Sequence, residues 1–188
     1  APYAGAMESA VGRRISRLSG LATFVQTRPS AAELEVEFDL FAAGVRVGVS
    51  GIRALELVQN GRIISVVPRE GNENVLGYDL YADARPFIPG DVRRAIETGA
   101  ITISGPTTLL QGGFGMIVRQ RIARSETGFP DLVAMVIDVP ALVTEAAAFE
   151  RPDRISFVVL DRTGQRVSGQ STPLDDPVSM PIRIPDGA

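Results

Sequence analysis

Two pairs of turn residues, Asn60-Gly61 and Gly112-Gly113, constrain the fold of this chain more than any other feature of its sequence. Each pair lies between two β-rich runs, and Asn-Gly in that setting is the strongest short-range signal of a β-hairpin. Glycine adopts positive φ without steric cost, which tight hairpin turns require. The sequence therefore predicts antiparallel strands at about 52–58 and 62–68, and one strand on each side of Gly112-Gly113.

The second glycine pair belongs to a glycine-rich stretch, GPTTLLQGGFG at 105–115, that also invites an enzymatic interpretation. A phosphate-binding loop opens a helix, whereas the MIVRQRI that follows these glycines alternates like a strand. The chain has no Lys for a Walker-type loop and no His to activate Thr107 or Thr108 beside an oxyanion hole. A hairpin turn is the best interpretation, and we do not expect an enzyme.

Composition excludes several further classes of function. The chain contains no His and no Cys, so imidazole bases, catalytic triads, thiolate chemistry and Cys or His metal sites are excluded, and no cofactor is expected. A net charge of −3 gives no electrostatic reason to expect nucleic acid as a partner. No run approaches the roughly 20 apolar residues of a membrane span, and no signal peptide is visible. The sequence reads as a fragment whose flanking segments have been removed.

Helical patterns occupy the N-terminal part of the chain. In residues 4–28, apolar side chains recur at spacings of 4, 3, 4 and 3, from Val11 to Val25. This seam predicts either an amphipathic helix lying on its own domain or a stalk that pairs with its copy in a dimer. A second helix follows Ser30, because Ser30 and Glu33 form a capping box before an apolar run.

The rest of the chain alternates between strands and short helices. After the first hairpin we expect a loop with helical turns, a helix that starts at Asp91 and ends at Gly99, and three strands. A helix near Pro140, a hairpin around Thr163-Gly164 and a short strand MPIRI complete the order. This order predicts an α+β fold with a PAS-like antiparallel five-stranded sheet, a long N-terminal stalk helix and a partial second β unit.

Three segments in order carry a resemblance to a known family: EGNENVLGYDL, AIETGAITISGPTTLLQGGFGMIVRQRI and LVAMVIDVPALV. They resemble the CHASE domain, an extracytoplasmic sensor module of bacterial and plant receptors. The resemblance implies a stalk helix at 1–28, a membrane-distal PAS-like ligand-binding domain at 29–148 and a partial membrane-proximal PAS-like domain at 149–188. It also implies the periplasmic part of an inner-membrane protein, attached to the membrane only through flanking spans that have been removed. The output domain, a histidine kinase or diguanylate cyclase, would lie elsewhere in the receptor.

The resemblance also implies where a ligand would bind. In plant cytokinin receptors of this family, an Asp in the segment that matches GYDL bonds the ligand, and the corresponding residue here is Asp79. An apolar residue just before the segment matching SGP lies against the ligand, and Ile103 is its match. Asp79 is equally suited to be the N-cap of a helical turn, and Ile103 to be an ordinary core residue.

Arg119 departs from the plant pattern, which has a small hydroxyl residue at this place. By alternation Ile117, Arg119 and Arg121 share one face of their strand. A pocket-facing Arg needs a partner, either Asp79 or an anionic ligand, and this departure disfavours cytokinin. The alternative is that Arg119 faces solvent. The predicted ligand-binding set is Asp79, Ile103, Arg119, Tyr78, Leu109 and Ile117.

Two functions remain open at this point. In the first, the chain is a sensor that binds a small molecule, with an anion as one candidate, is not an enzyme, and dimerises through its N-terminal helix. In the second, the same fold has a filled pocket and serves as a structural or dimerisation module. A cavity beside Asp79 and Arg119 would favour the sensor. A hydrolase with paired carboxylates is a distant third, because Asp131 and Asp138 have no nucleophile nearby.

Overall fold

The computed structural model describes residues 2–124, 126–148, 158–161, 163–169 and 179–184. Two helices come first, α1 (Pro2–Gln26) and α2 (Ala31–Arg46). The Ser30 side chain accepts a hydrogen bond from the Glu33 backbone N–H at 3.2 Å, so the predicted cap is present and stabilises α2 by about 1 kcal/mol. Val11, Leu18 and Val25 of α1 are buried within the chain itself, as the first of the two interpretations of that seam expects.

Five antiparallel strands form the central sheet in the order β2-β1-β5-β4-β3. The predicted hairpin turn contains Asn60 (φ 50°) and Gly61 (φ 74°), and the glycine pair Gly112-Gly113 (φ 81° and 80°) joins the third and fourth strands. The sheet confirms the predicted α+β architecture. Its strands are β1 (Ile52–Gln59), β2 (Arg62–Val67), β3 (Thr102–Thr108), β4 (Phe114–Arg121) and β5 (Leu132–Asp138).

Two helices and a pair of short strands complete the described fold: α3 (Phe87–Thr98), α4 (Val139–Ala148), β6 (Val158–Leu160) and β7 (Arg166–Gly169). The expected helix start at Asp91 is wrong by about one turn, because α3 already begins at Phe87. Pro89 is tolerated there, since the first turn of a helix needs no backbone N–H donor. Gly99 (φ 71°) ends α3 in the left-handed conformation, as predicted.

The predicted strand MPIRI is also corrected by the structure. Residues 180–184 are described but form no strand. The backbone N–H of Arg183 donates to the Glu8 carboxylate of α1 at 2.7 Å instead of to a neighbouring strand. Ile182 and Ile184 pack against the apolar cluster between α1 and α4. The described part of the second β unit is therefore the antiparallel pair β6 and β7.

The two faces of the central sheet have different covers. The helical face, which includes Leu55, Val118 and Met135, packs against α1 and α2. The opposite face, called here the cavity face, includes Val58, Ile117 and Val136 and packs against α3 and two 3-10 turns. These turns span Glu73–Val75 and Leu80–Ala82 in the connection between β2 and α3.

An ion cluster holds α1 to α4. Arg14 is fully buried and donates to the Glu145 carboxylate at 2.5 Å, to the Ser50 carbonyl at 2.5 Å and to the Ala10 carbonyl at 2.8 Å. Arg13 reaches the second oxygen of Glu145 at 2.5 Å. Burial raises the pKa of Glu145, but the hydrogen bonds from Arg14 and Arg13 outweigh it and hold that pKa at about 2. No helix among the described residues is both long and apolar enough to cross a membrane.

Candidate functional site

A row of three side chains across the middle of the cavity face sets opposite charges on either side of a small residue. The register pairs Glu56 of β1 with Ala134 of β5, and Ala134 with Arg119 of β4. Side chains directly opposite on neighbouring strands project to the same face. Ala134 carries only a methyl group, so the longer side chains of Glu56 and Arg119 rise over it from both sides.

Arg119 is buried in this row, and no acidic side chain of the described residues contacts it directly. Its exposed fraction is 1%, and its Nη1 donates to the Ser104 hydroxyl at 2.5 Å. Ser104 in turn donates to Asp91 Oδ2 at 2.6 Å. The Nε–H of Arg119 is buried and has no acceptor. Burial lowers the pKa of Arg119 to about 10, although the charges of Glu56 and Asp91 oppose the change.

Glu56 is the acidic counterpart of Arg119 in the same row. Its exposed fraction is 4%, and its carboxylate accepts a hydrogen bond from Gln111 Nε2 at 3.1 Å. Burial raises the pKa of Glu56 to about 7, while the Arg119 charge and the Gln111 hydrogen bond work in the opposite direction. Among the ion pairs of the described residues, none includes Glu56 or Arg119.

A small cavity lies between these two side chains and the connection from β2 to α3 (residues 68–86), called here the cover. Its volume is about 20 Å³, and a space of roughly 10–15 Å³ by this measure holds one water molecule. The polar lining residues are Glu56, Arg119, Arg85 and Gln111, and the apolar ones are Ile63, Val75, Leu80, Leu110, Ile117 and Val136. A larger guest requires the cover to move.

Polar contacts fasten the cover at several points. Arg85 pairs with Asp83 at 2.5 Å and also donates to the Thr108 carbonyl at 2.7 Å. Asn74 donates to the Leu110 carbonyl at 2.7 Å, so the first 3-10 turn is bonded to the glycine hairpin. The hairpin is held from beneath by Arg53, which donates to the Gln111 carbonyl at 2.5 Å. The glycine-rich stretch is therefore a structural turn that carries Gln111 and Leu110 to the cavity.

A second depression, larger and shallow, lies at the connection between α2 and β1 and has a volume of about 370 Å³. Arg46 is the charged residue in its lining, and the Arg46 Nε–H already donates to the Ile52 carbonyl at 3.1 Å. It is open to solvent and brings no opposite charges together. The small cavity over Ala134 is the better candidate, since buried polar groups converge on it.

The structure brings only part of the predicted ligand-binding set to this cavity. Arg119 and Ile117 line it directly. Tyr78 and Leu109 belong to the apolar cluster around the cavity but do not line it. Their role in binding a ligand stays a prediction, and so do the roles of the two residues described next.

Asp79 and Ile103 lie away from the cavity. Asp79 accepts from the Tyr81 backbone N–H at 3.0 Å, so it caps the second 3-10 turn, and it pairs with Arg62 at 2.9 Å. Backbone hydrogen bonds join this segment to the edge of β2, for example from Gly77 N–H to the Ile63 carbonyl at 2.8 Å. Ile103 projects from the helical face, the side of β3 opposite to Ser104 and the cavity.

Sequence reasoning missed three polar residues of the site. One signal was available for Glu56, because alternation places it between Ala54 and Val58 on one face of a strand that is otherwise apolar. A charged residue at such a position requires an explanation. Arg85 and Gln111 had no comparable signal, since both lie in connections whose path over the sheet depends on tertiary packing.

Solved structures with a similar fold include extracytoplasmic domains of receptors. An extracellular ligand-binding receptor from Desulfohalobium retbaense DSM5692 superposes with a TM-score of 0.70 at 14% identity, over 90% of this chain and 30% of that chain. The sensory domain of the Campylobacter jejuni chemoreceptor Tlp3 gives 0.60 at 10% identity, over 88% and 69%. The Vibrio cholerae LuxQ periplasmic domain gives 0.52 at 12% identity, over 94% and 80%. The chain therefore spans about a third of the Desulfohalobium receptor.

The family comparison gives the assignment. No sequence among curated proteins matches the chain significantly. The CHASE domain family model, however, matches residues 21–170, which is most of the chain. The match includes the whole central sheet and agrees with an extracytoplasmic sensory domain of the ligand-binding type. On this evidence the chain belongs to the CHASE domain family.

Proposed function

We propose that this chain is the extracytoplasmic sensory domain of a membrane receptor, which binds a small molecule at the Glu56–Arg119 cavity and signals to a cytoplasmic output domain such as a histidine kinase or diguanylate cyclase. The observation that carries the proposal is Arg119. A buried guanidinium with no ion pair and an unused Nε–H is costly for a fold that gains nothing from it. Strongly perturbed, desolvated charges at a cavity are typical of functional sites.

Related folds support a small guest. The Tlp3 sensory domain has been solved in complex with L-valine, with a TM-score of 0.54 and 11% identity to this chain, and with bound isoleucine, with a TM-score of 0.53 and 10% identity. A guest of that kind here would enter beneath the 3-10 turns and the glycine hairpin. The segment of residues 70–90 would then open and close around it.

Strand β4 offers a direct route from the cavity to α1. Arg119 projects into the cavity face, and the next residue, Gln120, projects from the helical face. Gln120 accepts a hydrogen bond from Ser19 of α1 at 2.9 Å. A ligand that draws β4 toward the cavity would therefore pull on α1. Such a shift signals only if the ligand binds one arrangement of the helices better than the other.

A thermal-shift screen of small anions, amino acids and purines tests the proposal. At a concentration of 100 times Kd, a ligand stabilises the folded state by about 2.7 kcal/mol, which raises Tm by several degrees in a chain of this size. We expect at least one compound to do so with the wild type and with Arg121→Met, and not with Arg119→Met. Arg121 is a matched control, because it lies on the same strand and is exposed.

A structural or dimerisation module is the second candidate, and the small volume of the cavity, about 20 Å³, favours it. In that case Glu56 and Arg119 are bridged by a single water and the cover never opens. A screen with no stabilising compound, together with a dimer in analytical ultracentrifugation, would support this second function and overturn the first.

A further inference from the structure

We propose that the cavity over Ala134 binds a compact aliphatic α-amino acid as a zwitterion, with its carboxylate on Arg119 and its ammonium group on Glu56. The inference rests on the proposed sensory function and names the chemical class of its ligand. It replaces the anion that Arg119 alone would suggest, because Glu56 adds a negative charge on the other side of the same space.

The register separates the two charges by one strand. Neighbouring strands lie about 4.8 Å apart, so the backbones of Glu56 and Arg119 are on the order of 10 Å apart across β5. Both side chains are long enough to converge over Ala134, yet they form no ion pair with each other. Once the cover has moved to admit it, a molecule whose carboxylate and amine share one carbon atom would meet both groups at once.

The other charged groups near the cavity already have partners. Arg85 pairs with Asp83 at 2.5 Å, and Asp91 accepts from Ser104 at 2.6 Å and pairs with Arg94 at 3.2 Å. Among the described residues that line the cavity, this leaves one cation and one anion for a guest, Arg119 and Glu56. The guest is therefore expected to carry one charge of each sign.

Electrostatics disfavours guests that carry a single charge. Above the Glu56 pKa of about 7, a simple carboxylate would bring its charge next to an ionised Glu56 in a buried site, and a simple amine would bring its charge next to Arg119. Like charges placed together at a buried contact cost several kcal/mol. A zwitterion adds no net charge, and each of its groups meets an opposite charge. The apolar lining from Ile63, Val75, Leu80 and Ile117 suits a short aliphatic side chain.

The experiment compares molecules with one skeleton and different charges. L-valine, 3-methylbutanoate and isobutylamine are titrated by calorimetry into the 188-residue chain at about pH 8, where Glu56 is ionised, and L-alanine, propanoate and ethylamine form a smaller set. We expect an amino acid to bind at least tenfold more tightly than both of its single-charge analogues. Removing one partner of a buried, hydrogen-bonded charge pair costs at least about 2 kcal/mol, so Glu56→Gln should weaken amino acid binding about 30-fold.

Glu56→Gln should leave the binding of the carboxylates unchanged or stronger, because the like charge has been removed. Arg119→Met supplies the reciprocal test, since it should make isobutylamine bind better than 3-methylbutanoate. Circular dichroism and unfolding midpoints confirm that both variants are folded. If Glu56→Gln does not fold, the order of the three ligands with the wild type and with Arg119→Met still decides the question.

Three results would overturn the zwitterion hypothesis, and they differ from failure of the sensory function. If carboxylates bind the wild type as tightly as amino acids do, or if a stabilising compound from the broad screen lacks an amine, the zwitterion is wrong and the sensor stands. The zwitterion hypothesis is also wrong if Glu56→Gln binds amino acids as tightly as the wild type does. If no compound of any class binds, both the zwitterion and the sensory function are wrong.

Discussion

The chain buries two arginines, Arg14 and Arg119, to the same extent and uses them in opposite ways. Arg14 is 0% exposed and donates to one carboxylate and two backbone carbonyls. Arg119 is 1% exposed and donates to one hydroxyl. Glu56, the acidic residue in the same cross-strand row, is separated from it by Ala134. In both arginine side chains the Nε–H has no acceptor among the described residues, so the difference lies in the terminal nitrogens.

The comparison separates an ion pair that holds two helices together, Arg14–Glu145, from a buried charge that is free to bind a ligand, Arg119. Glu145 is held ionised, with a pKa of about 2, because two arginines surround it. Glu56 is pushed toward the neutral form, with a pKa of about 7, because burial outweighs its distant partner. The first arrangement stabilises the contact between α1 and α4. The second stabilises nothing by itself, which is the property expected of a binding site.

The largest effect is expected from Glu145→Ala. This change leaves the buried Arg14 charge without its carboxylate, which costs about 3–5 kcal/mol. Urea unfolding measures the loss. Arg13→Ala is the control, because Arg13 contacts the same carboxylate from an exposed position and its pair is worth at most about 1 kcal/mol. Equal losses for the two variants would contradict the structural role given to Arg14.

The second-largest effect is the contribution of Glu56 to the pH dependence of stability. Its folded-state pKa of about 7 lies above its ordinary value of 4.5, so between these values the native state binds more protons than the unfolded state. The free energy of unfolding should therefore fall as the pH rises from about 4.5 to 7, by up to about 3 kcal/mol. The charged groups facing Glu56 are Arg119 from β4 and Arg85 from the cover. Unfolding at a series of pH values, with Glu56→Gln as the reference, isolates this contribution, and parallel curves would refute it.

A smaller effect on stability is expected from Arg119→Met. The substitution removes a buried charge that has no ion pair, and Glu56 can bind a proton in response, so the change at pH 6 should stay within about 1.5 kcal/mol. Arg14→Met should cost at least twice as much, because it removes the buried hydrogen bonds to the Glu145 carboxylate and to the Ser50 and Ala10 carbonyls. Guanidinium unfolding of the two variants side by side gives the comparison. A larger loss for Arg119→Met would show that Arg119 is structural as well.

The smallest effect concerns Asp79. Asp79→Ala removes the cap of a 3-10 turn and an exposed ion pair, and should lower stability by about 1 kcal/mol. Because the side chain lies outside the cavity, ligand affinity should change less than twofold, as measured by calorimetry with L-valine. A tenfold loss of affinity would instead favour the ligand-binding role that the family resemblance implies for Asp79.

Local chemistry explains why most of the fold was predictable. The cap at Ser30, the turns at Asn60-Gly61 and Gly112-Gly113 and the end of α3 at Gly99 each depend on a few adjacent residues. The start of α3 was misplaced because the proline after Phe87 was not recognised as a first-turn residue. The strand expected at 180–184 failed because its backbone bonds a side chain of α1 instead.

The sequence by itself determined the antiparallel strands, their turns and the alternation that places Ile117 and Arg119 on one face, because these follow from neighbours along the chain. Only the tertiary structure decided that β5 lies between β1 and β4, and thus that Glu56 faces Arg119 across Ala134. It also decided that Arg85 and Gln111 reach the cavity and that Asp79 and Ile103 do not. Strand order and the path of a covering loop are set by the packing of residues far apart in sequence, and short-range patterns carry no record of it.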